Sequence, residues 1–345
     1  MKHINVALFV PHMGCKQQCS FCNQRMISGE TKRITAEDVK TACETAIATK
    51  KADAEHSEIA FFGGSFTAIQ RDYMLSLLTA AKPFLDKGYF KGIRISTRPD
   101  AIDAEILDIL KAFGVTAIEL GAQSMDEEVL HLNRRGHTAE DVVVASNLIK
   151  DWGFSLGLQM MTGLLGSDAE KDFETAQKIC ALQPDTVRIY PTIVLEHTFL
   201  ADCLKNGSYK AQTLEEAVPL CAKLLVLFES HNIKVIRLGL HSGGNVEEGY
   251  LGGAYHPAFR ELCEGEIYKE KMLSTLKDFK KDKAYLIEVP KTELSKAKGQ
   301  GKRNEKALRN AGFCCIIKGN EFLKKGEINV KELDYDFKVA TDAGI

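Results

Sequence analysis

Short apolar, β-branched runs alternate with longer stretches of helical periodicity over the first two thirds of the chain. Seven such runs stand out: Ile4–Val10, Ile59–Phe62, Gly92–Thr97, Ala117–Leu120, Ser155–Met161, Thr186–Tyr190 and Lys234–Leu240. They run into turn-forming or polar clusters, among them Pro11, Gly63-Gly64, Arg98-Pro99, Gly121, Gly163, Pro191 and His241-Ser242-Gly243-Gly244. The helical stretches between them carry start signals. Thr35-Ala36-Glu37-Asp38 and Thr138-Ala139-Glu140-Asp141 each set a hydroxyl three residues before a carboxylate, the pattern of a reciprocal helix cap. Repeated strand–helix alternation predicts parallel strands joined by right-handed crossovers. About six such units predict an α/β fold built as a partial (β/α) barrel, with an open doubly wound sheet as the alternative. The unusual residues favour the barrel. The cysteine cluster, GGSF, STRPD, GAQS and YPT all follow strand-like runs, the end at which barrels place reactive groups.

After Gly244 the character changes. Gly249–Gly253 and His256-Pro257 read as an irregular connection. A charged helical stretch from Pro257 to Lys283 follows, then a strand over Ala284–Val289, a basic loop over Lys291–Arg303, a helix over Asn304–Ala311 and a strand over Phe313–Lys318. The predicted division is a barrel over residues 1–245 and a small α+β domain over 246–345.

The chain has 345 residues, 45% hydrophobic and 27% charged, with a formal charge of −2. That excludes collagen, coiled coil and wholesale disorder, and argues against a globally basic nucleic-acid binder. No apolar run approaches a membrane span of about 18–20 residues. Val6–Val10 is too short for a signal-peptide core, so a cytoplasmic protein with no membrane partner is expected. Of ten cysteines, Cys43, Cys180, Cys203, Cys221, Cys263, Cys314 and Cys315 are scattered and read as buried thiols.

The remaining three lie within eight residues, in Gly14-Cys15-Lys16-Gln17-Gln18-Cys19-Ser20-Phe21-Cys22. Three thiolates at this spacing can hold three corners of a cubane iron–sulfur cluster and leave the fourth iron open for a small molecule. A closed zinc site needs a fourth ligand, which His12 supplies only from very close by. The string Cys-x3-Cys-x2-Cys, with an aromatic before the last cysteine, resembles the signature of the radical S-adenosylmethionine (SAM) superfamily, and the resemblance extends over about Asn5 to Gly244. It implies a [4Fe-4S] cluster on Cys15, Cys19 and Cys22, with SAM chelated at the open iron beside Phe21. It also implies a low-potential electron donor such as reduced flavodoxin or ferredoxin. One electron then cleaves SAM to a 5′-deoxyadenosyl radical that abstracts hydrogen from substrate.

The other motifs are read against the same family. Gly63, Gly64 and Ser65 stand where many members have a GGE-like motif receiving the methionine amino group. Ser65 replaces the Glu, so that contact falls to a backbone carbonyl and a hydroxyl. Ser96 and Thr97 offer hydroxyls suited to a ribose or a carboxylate. The resemblance assigns Gln123 to SAM and Arg135 to its carboxylate, which the planar guanidinium matches. Gln159 stands where oxygen-independent coproporphyrinogen oxidases place an Asp against the ribose, and this departure points away from porphyrin chemistry. Tyr190, in Arg188-Ile189-Tyr190-Pro191-Thr192, reads as a wall of the radical pocket.

STRPD and RIYPT are similar to strings of the elongator catalytic subunit, which modifies wobble uridine in tRNA. The roughly hundred residues after Gly244 do not accommodate the acetyltransferase domain of that enzyme, so the elongator reaction itself is not expected. Lys298, Lys302, Arg303 and Lys306 are candidates for phosphate contact, keeping tRNA or another RNA as the substrate. The competing class is a non-catalytic iron–sulfur or zinc protein that binds RNA or senses. It has no use for Gly63-Gly64, Gln123 and Arg135 at successive strand ends.

Overall fold

The computed structural model describes residues 4–10, 18–23, 26, 32–49, 56–240 and 246–336. Cys15 and residues 241–245 lie outside these residues. Two compact units emerge, Met1–Ala217 with Leu224–Pro257, and Val218–Lys223 with Ala258–Ile345.

In the first unit the elements run β1 (Ile4–Phe9), α1 (Ala36–Ala48), β2 (Ser57–Phe62), α2 (Arg71–Asp86), β3 (Gly92–Thr97), α3 (Ala104–Ala112), β4 (Val115–Gln123), α4 (Glu127–Leu132), α5 (Ala139–Asp151) and β5 (Ser155–Thr162). They continue with α6 (Ala169–Ala181), β6 (Thr186–Pro191), β7 (Ile193–Leu195), α7 (Phe199–Lys205), α8 (Leu214–Ser230, of which Val218–Lys223 counts with the second unit), β8 (Lys234–Leu238) and β9 (Tyr250–Gly253). Strands β1-β2-β3-β4-β5-β6-β8 form one sheet in that order, parallel throughout. This is the predicted partial barrel. The helices start where their side chains cap them. Thr35 and Asp38 form a reciprocal box on α1, and Thr138 and Asp141 form one on α5.

The strands are two-faced. One face is apolar and closed to solvent: Ile59, Phe61, Ile93, Ile95, Ile118, Leu156, Val187 and Ile189 are each 0% exposed. Burial of each such side chain contributes roughly 1.5–3 kcal/mol. The alternate positions carry Glu58, Arg94, Ser96, Glu119, Gln159, Arg188 and Tyr190, which line the concave face.

The stretch expected to be an irregular connection contains β9, which pairs antiparallel with β7. Gly253 makes this possible. Its φ is +106°, and a Cβ there would stand 2.5 Å from Thr192 O. This pairing carries the first unit through Pro257.

The second unit holds α9 (Phe259–Leu276), β10 (Lys283–Pro290), α10 (Leu294–Lys298), α11 (Arg303–Asn310), β11 (Cys314–Asn320) and β12 (Asn329–Asp336). Its sheet runs β11-β10-β12, parallel then antiparallel. The predicted basic loop over Lys291–Arg303 is largely short helical turns. Ala297, 0% exposed, anchors them, and Lys296 pairs with Glu264 at 2.8 Å. Among the described residues no helix is long and apolar enough to cross a membrane.

Candidate active site at the ends of the barrel strands

The described part of the cysteine loop is docked by its non-cysteine residues. Ser20 is 0% exposed. Its hydroxyl donates to Asn133 Oδ1 at 2.6 Å, its N–H donates to Asn133 O at 3.1 Å, and its carbonyl accepts from Leu200 N–H at 2.8 Å. Asn133, also 0% exposed, spends its amide group on Val129 O (2.7 Å) and Leu165 O (2.9 Å). Phe21 packs against Met161, Leu164 and Val129, in a cluster that Tyr190 joins. Asn23 Nδ2 reaches Glu196 O at 3.0 Å. Cys22 N–H donates to Cys19 O at 3.1 Å, so a tight turn carries both thiols, and both are partly exposed.

Arg135 is aimed by the end of α4. Arg134 N–H donates to His131 O and Arg135 N–H to Leu130 O, both at 3.0 Å, a helix stop that needs a left-handed residue between them. Arg134 fills that position at φ +54°, where glycine is usual, and its guanidinium stacks 3.7 Å from the Phe199 ring centroid. Arg135 is then buried, with Nη2 on Gly121 O at 2.6 Å and Nη1 on Cys19 Sγ at 3.0 Å. Its Nε is buried without a hydrogen-bond partner. Among the described residues no carboxylate pairs with it. A buried guanidinium so placed fits an anionic group arriving beside Cys19.

His137 fastens the same loop to β4 through a 3.2 Å hydrogen bond between Nε2 and Ala122 O. Burial, then the charge of Arg135, holds its pKa down at about 4, so the ring is neutral and Nε2 is the donor. Between these anchors β4 bulges. Its register on β5 skips from Gly121 to Gln123, and Gln123 takes φ +68°. Gln159 Nε2 donates to Gln123 Oε1 at 3.1 Å.

Across the sheet the hydroxyls are already engaged. Ser65 Oγ lies 2.9 Å from Thr97 Oγ1 and accepts from Arg98 N–H at 3.2 Å, while Thr67 Oγ1 lies 2.6 Å from Thr97 Oγ1. Ser96 points the other way and is half-buried on the concave face. Gly63 sits at φ +92° with Val10 O 2.9 Å from where a Cβ would be, so only glycine lets β1 and β2 end this close together. Arg98 pairs with Asp100 through two hydrogen bonds, at 2.8 and 2.7 Å.

The structure therefore brings Arg135 onto Cys19 and Gln159 onto Gln123, with Arg135 and Gln123 both lying over Gly121, and it gathers Phe21 and Tyr190 around Met161 and Leu164. Ser65 and Thr97 form a third group, which braces β2 against β3. Sequence reasoning missed Ser20, Asn133 and His137. It also missed the ionic floor of the barrel. Glu119 accepts from Arg188 Nε at 2.6 Å and Nη2 at 2.9 Å, and from Arg94 Nη1 at 3.2 Å; Arg94 Nε also reaches Glu58 at 2.8 Å. Gly157 on the intervening strand opens the path, since a Cβ there would lie 2.8 Å from Glu119 Cγ. The signal was present as single charges inside otherwise apolar strands: Arg94 in GIRIST, Glu119 in AIEL and Arg188 in TVRIY.

Two family profiles match the chain: that of the Radical SAM superfamily over residues 9–179, and that of the Radical_SAM C-terminal domain over residues 184–269. A tRNA uridine(34) acetyltransferase of Methanocaldococcus jannaschii is 39% identical over 127 residues, which is 36% of this chain and 24% of that protein. The Elongator complex protein 3 of Danio rerio is 33% identical over 190 residues, 49% of this chain and 35% of that protein. The chain thus spans only 24% and 35% of the length of these curated relatives. Among solved structures, the archaeal Methanocaldococcus infernus Elp3 with an N-terminal deletion matches with a TM-score of 0.58 at 22% identity, covering 79% of this chain and 62% of that one. That likeness is one of fold.

Proposed function

The chain belongs to the radical SAM superfamily, whose enzymes carry a [4Fe-4S] cluster and SAM, and from that premise we propose that it abstracts hydrogen from an RNA substrate of the tRNA class. When bound, the cluster supplies one electron and SAM supplies the 5′-deoxyadenosyl radical. The chain's own residues hold and shield. Cys15, Cys19 and Cys22 are the thiolates for the cluster. Arg135 receives the carboxylate of SAM; its unpaired buried Nε beside Cys19 is the observation that carries the reading. Gly63 and Gly64 offer backbone to the amino group. The Ser65 and Thr97 hydroxyls keep strand β2 against β3, which leaves Ser96, Gln123 and Gln159 as the polar groups for the ribose. Phe21 and Tyr190, packed with Met161, exclude water from the radical. A reduced flavodoxin or ferredoxin supplies the electron. The tRNA class rests on relatives named for tRNA uridine chemistry.

The test is anaerobic reconstitution with iron and sulfide, then dithionite and SAM, assayed for 5′-deoxyadenosine. Wild type is compared with a variant in which Cys15, Cys19 and Cys22 are all alanine. Product from wild type alone is the expected result. Adding bulk tRNA deuterated at its pyrimidines should move deuterium into 5′-deoxyadenosine. Zinc in place of a cluster would favour the non-catalytic RNA-binding or sensor reading, and undeuterated product in the presence of such tRNA would overturn the substrate class.

A further inference from the structure

Strands β3, β6 and β8 each carry an arginine that belongs to the concave face: Arg94, Arg188 and Arg237. The first two are answered by Glu58 and Glu119. Arg237 is not. Its Nε donates to Gly239 O at 2.9 Å, and among the described residues no carboxylate pairs with it. The register sets Arg237 beside Arg188 across β6 and β8, so the two side chains leave the sheet on the same side. Burial and the charge of Arg188 both work against the Arg237 guanidinium. A guanidinium stays charged through this. Tyr190, two residues past Arg188 on β6, leaves the sheet on the same side and brings a hydroxyl to that face. These positions of the concave face thus hold three arginines and two glutamates, with the unanswered charge at the β8 end. Keeping a partly buried cation next to a like charge is costly unless an anion completes it.

We propose that Arg237, with Tyr190, anchors an anionic oxygen group of the substrate, a phosphate or a carboxylate, at the β6–β8 side of the barrel. Calling the bound molecule a substrate rests on the function proposed above; the anion site itself does not. This site is separate from the one at Arg135. Arg135 is fastened to β4, and three strand spacings in the order β4-β5-β6-β8 amount to about 14 Å along the sheet. The two guanidiniums are thus tied to different strands, one to Gly121 O on β4 and one to Gly239 O beyond β8. A planar fork at Arg237 selects for a group with two coplanar or paired oxygens, which a neutral nucleoside lacks.

The experiment is equilibrium dialysis of the reconstituted protein, with SAM present to fill the Arg135 end. The probes are uridine, uridine 5′-monophosphate and 5-carboxyuridine. Wild type should bind one of the two anions at least tenfold more tightly than uridine, and which one identifies phosphate or carboxylate as the source. R237Q should lose that preference while binding uridine as wild type does, and R237K should keep part of it. No preference in wild type, or a preference that survives in R237Q, overturns the proposal. Should R237Q fail to fold, Y190F carries the test: a severalfold loss of anion affinity supports the site, and unchanged affinity overturns it. 5′-Deoxyadenosine is measured in the same preparations. An Arg237-dependent preference without it would sink the radical reading and leave the anion site standing.

Discussion

Asn133→Ala separates the docking of the cysteine loop from the chemistry of the cysteines. The substitution removes three side-chain hydrogen bonds, one from Ser20 Oγ and two to Val129 O and Leu165 O. Val129 O keeps the Asn133 N–H as a donor, and the half-buried Leu165 carbonyl recovers water. The Ser20 hydroxyl, 0% exposed, is left without its partner. One orphaned buried hydroxyl costs about 1–3 kcal/mol, and the lost amide bonds add about 1 kcal/mol. A total of about 2–4 kcal/mol lowers the melting temperature of a unit this size by about 4–16 °C. Ser20→Ala should cost about 1–2 kcal/mol, because Asn133 Oδ1 is orphaned in turn. The two act on one bond, so the double variant should fall short of the sum by about 1 kcal/mol. Urea denaturation of the cluster-free protein measures these values. A timed chelator challenge after reconstitution measures the functional consequence: iron should leave Asn133→Ala severalfold faster than wild type, although every cysteine is intact. Additive singles, or wild-type iron retention in both variants, would refute the view that this bond holds the loop.

Glu119→Gln should destabilise by about 3–5 kcal/mol in urea titration, because Arg188 loses its counter-charge and Arg94 one of two; pairing it with Arg188→Met should recover most of the loss. His137 is neutral in the fold, with its pKa at about 4 against about 6.5 unfolded, so its contribution is full above pH 6.5 and is lost as pH falls toward 4. Relative to His137→Asn, wild type should therefore lose about 3 kcal/mol between pH 7 and 4, and parallel pH–stability curves would rule this out. Gly63→Ala should cost more than Gly207→Ala. Both need positive φ, but Gly207 has open space around its missing Cβ and Gly63 has Val10 O at 2.9 Å; equal melting temperatures would contradict the close approach. Arg134→Ala should be less stable than Arg134→Gly by about 1 kcal/mol, since alanine keeps the left-handed strain without the stacking on Phe199.

Much was legible in one dimension. Strand–helix alternation determined the parallel sheet, because crossovers of that length allow only one handedness. The capping boxes at Thr35 and Thr138 were readable because both partners lie within four residues. The glycines of β9 read instead as an irregular connection, since their role is to admit β7, whose residues lie more than fifty positions away. The basic stretch near Lys296 read as a loop because its acidic partner, Glu264, sits on a different helix.

The site divides the same way. Residue types and spacing were enough to single out the cysteines as cluster ligands, whereas Gln123 and Arg135 were marked only by the resemblance to the radical SAM family. Tertiary structure alone decided which hydroxyls are spent, Ser65 and Thr97 on each other, and which charges are left over, Arg135 and Arg237. It also decided that Ser20 is a buried clamp rather than a polar loop residue. Pairing is a property of space: a charge is answered or unanswered according to what stands across the barrel, and the order of residues along the chain does not carry that information.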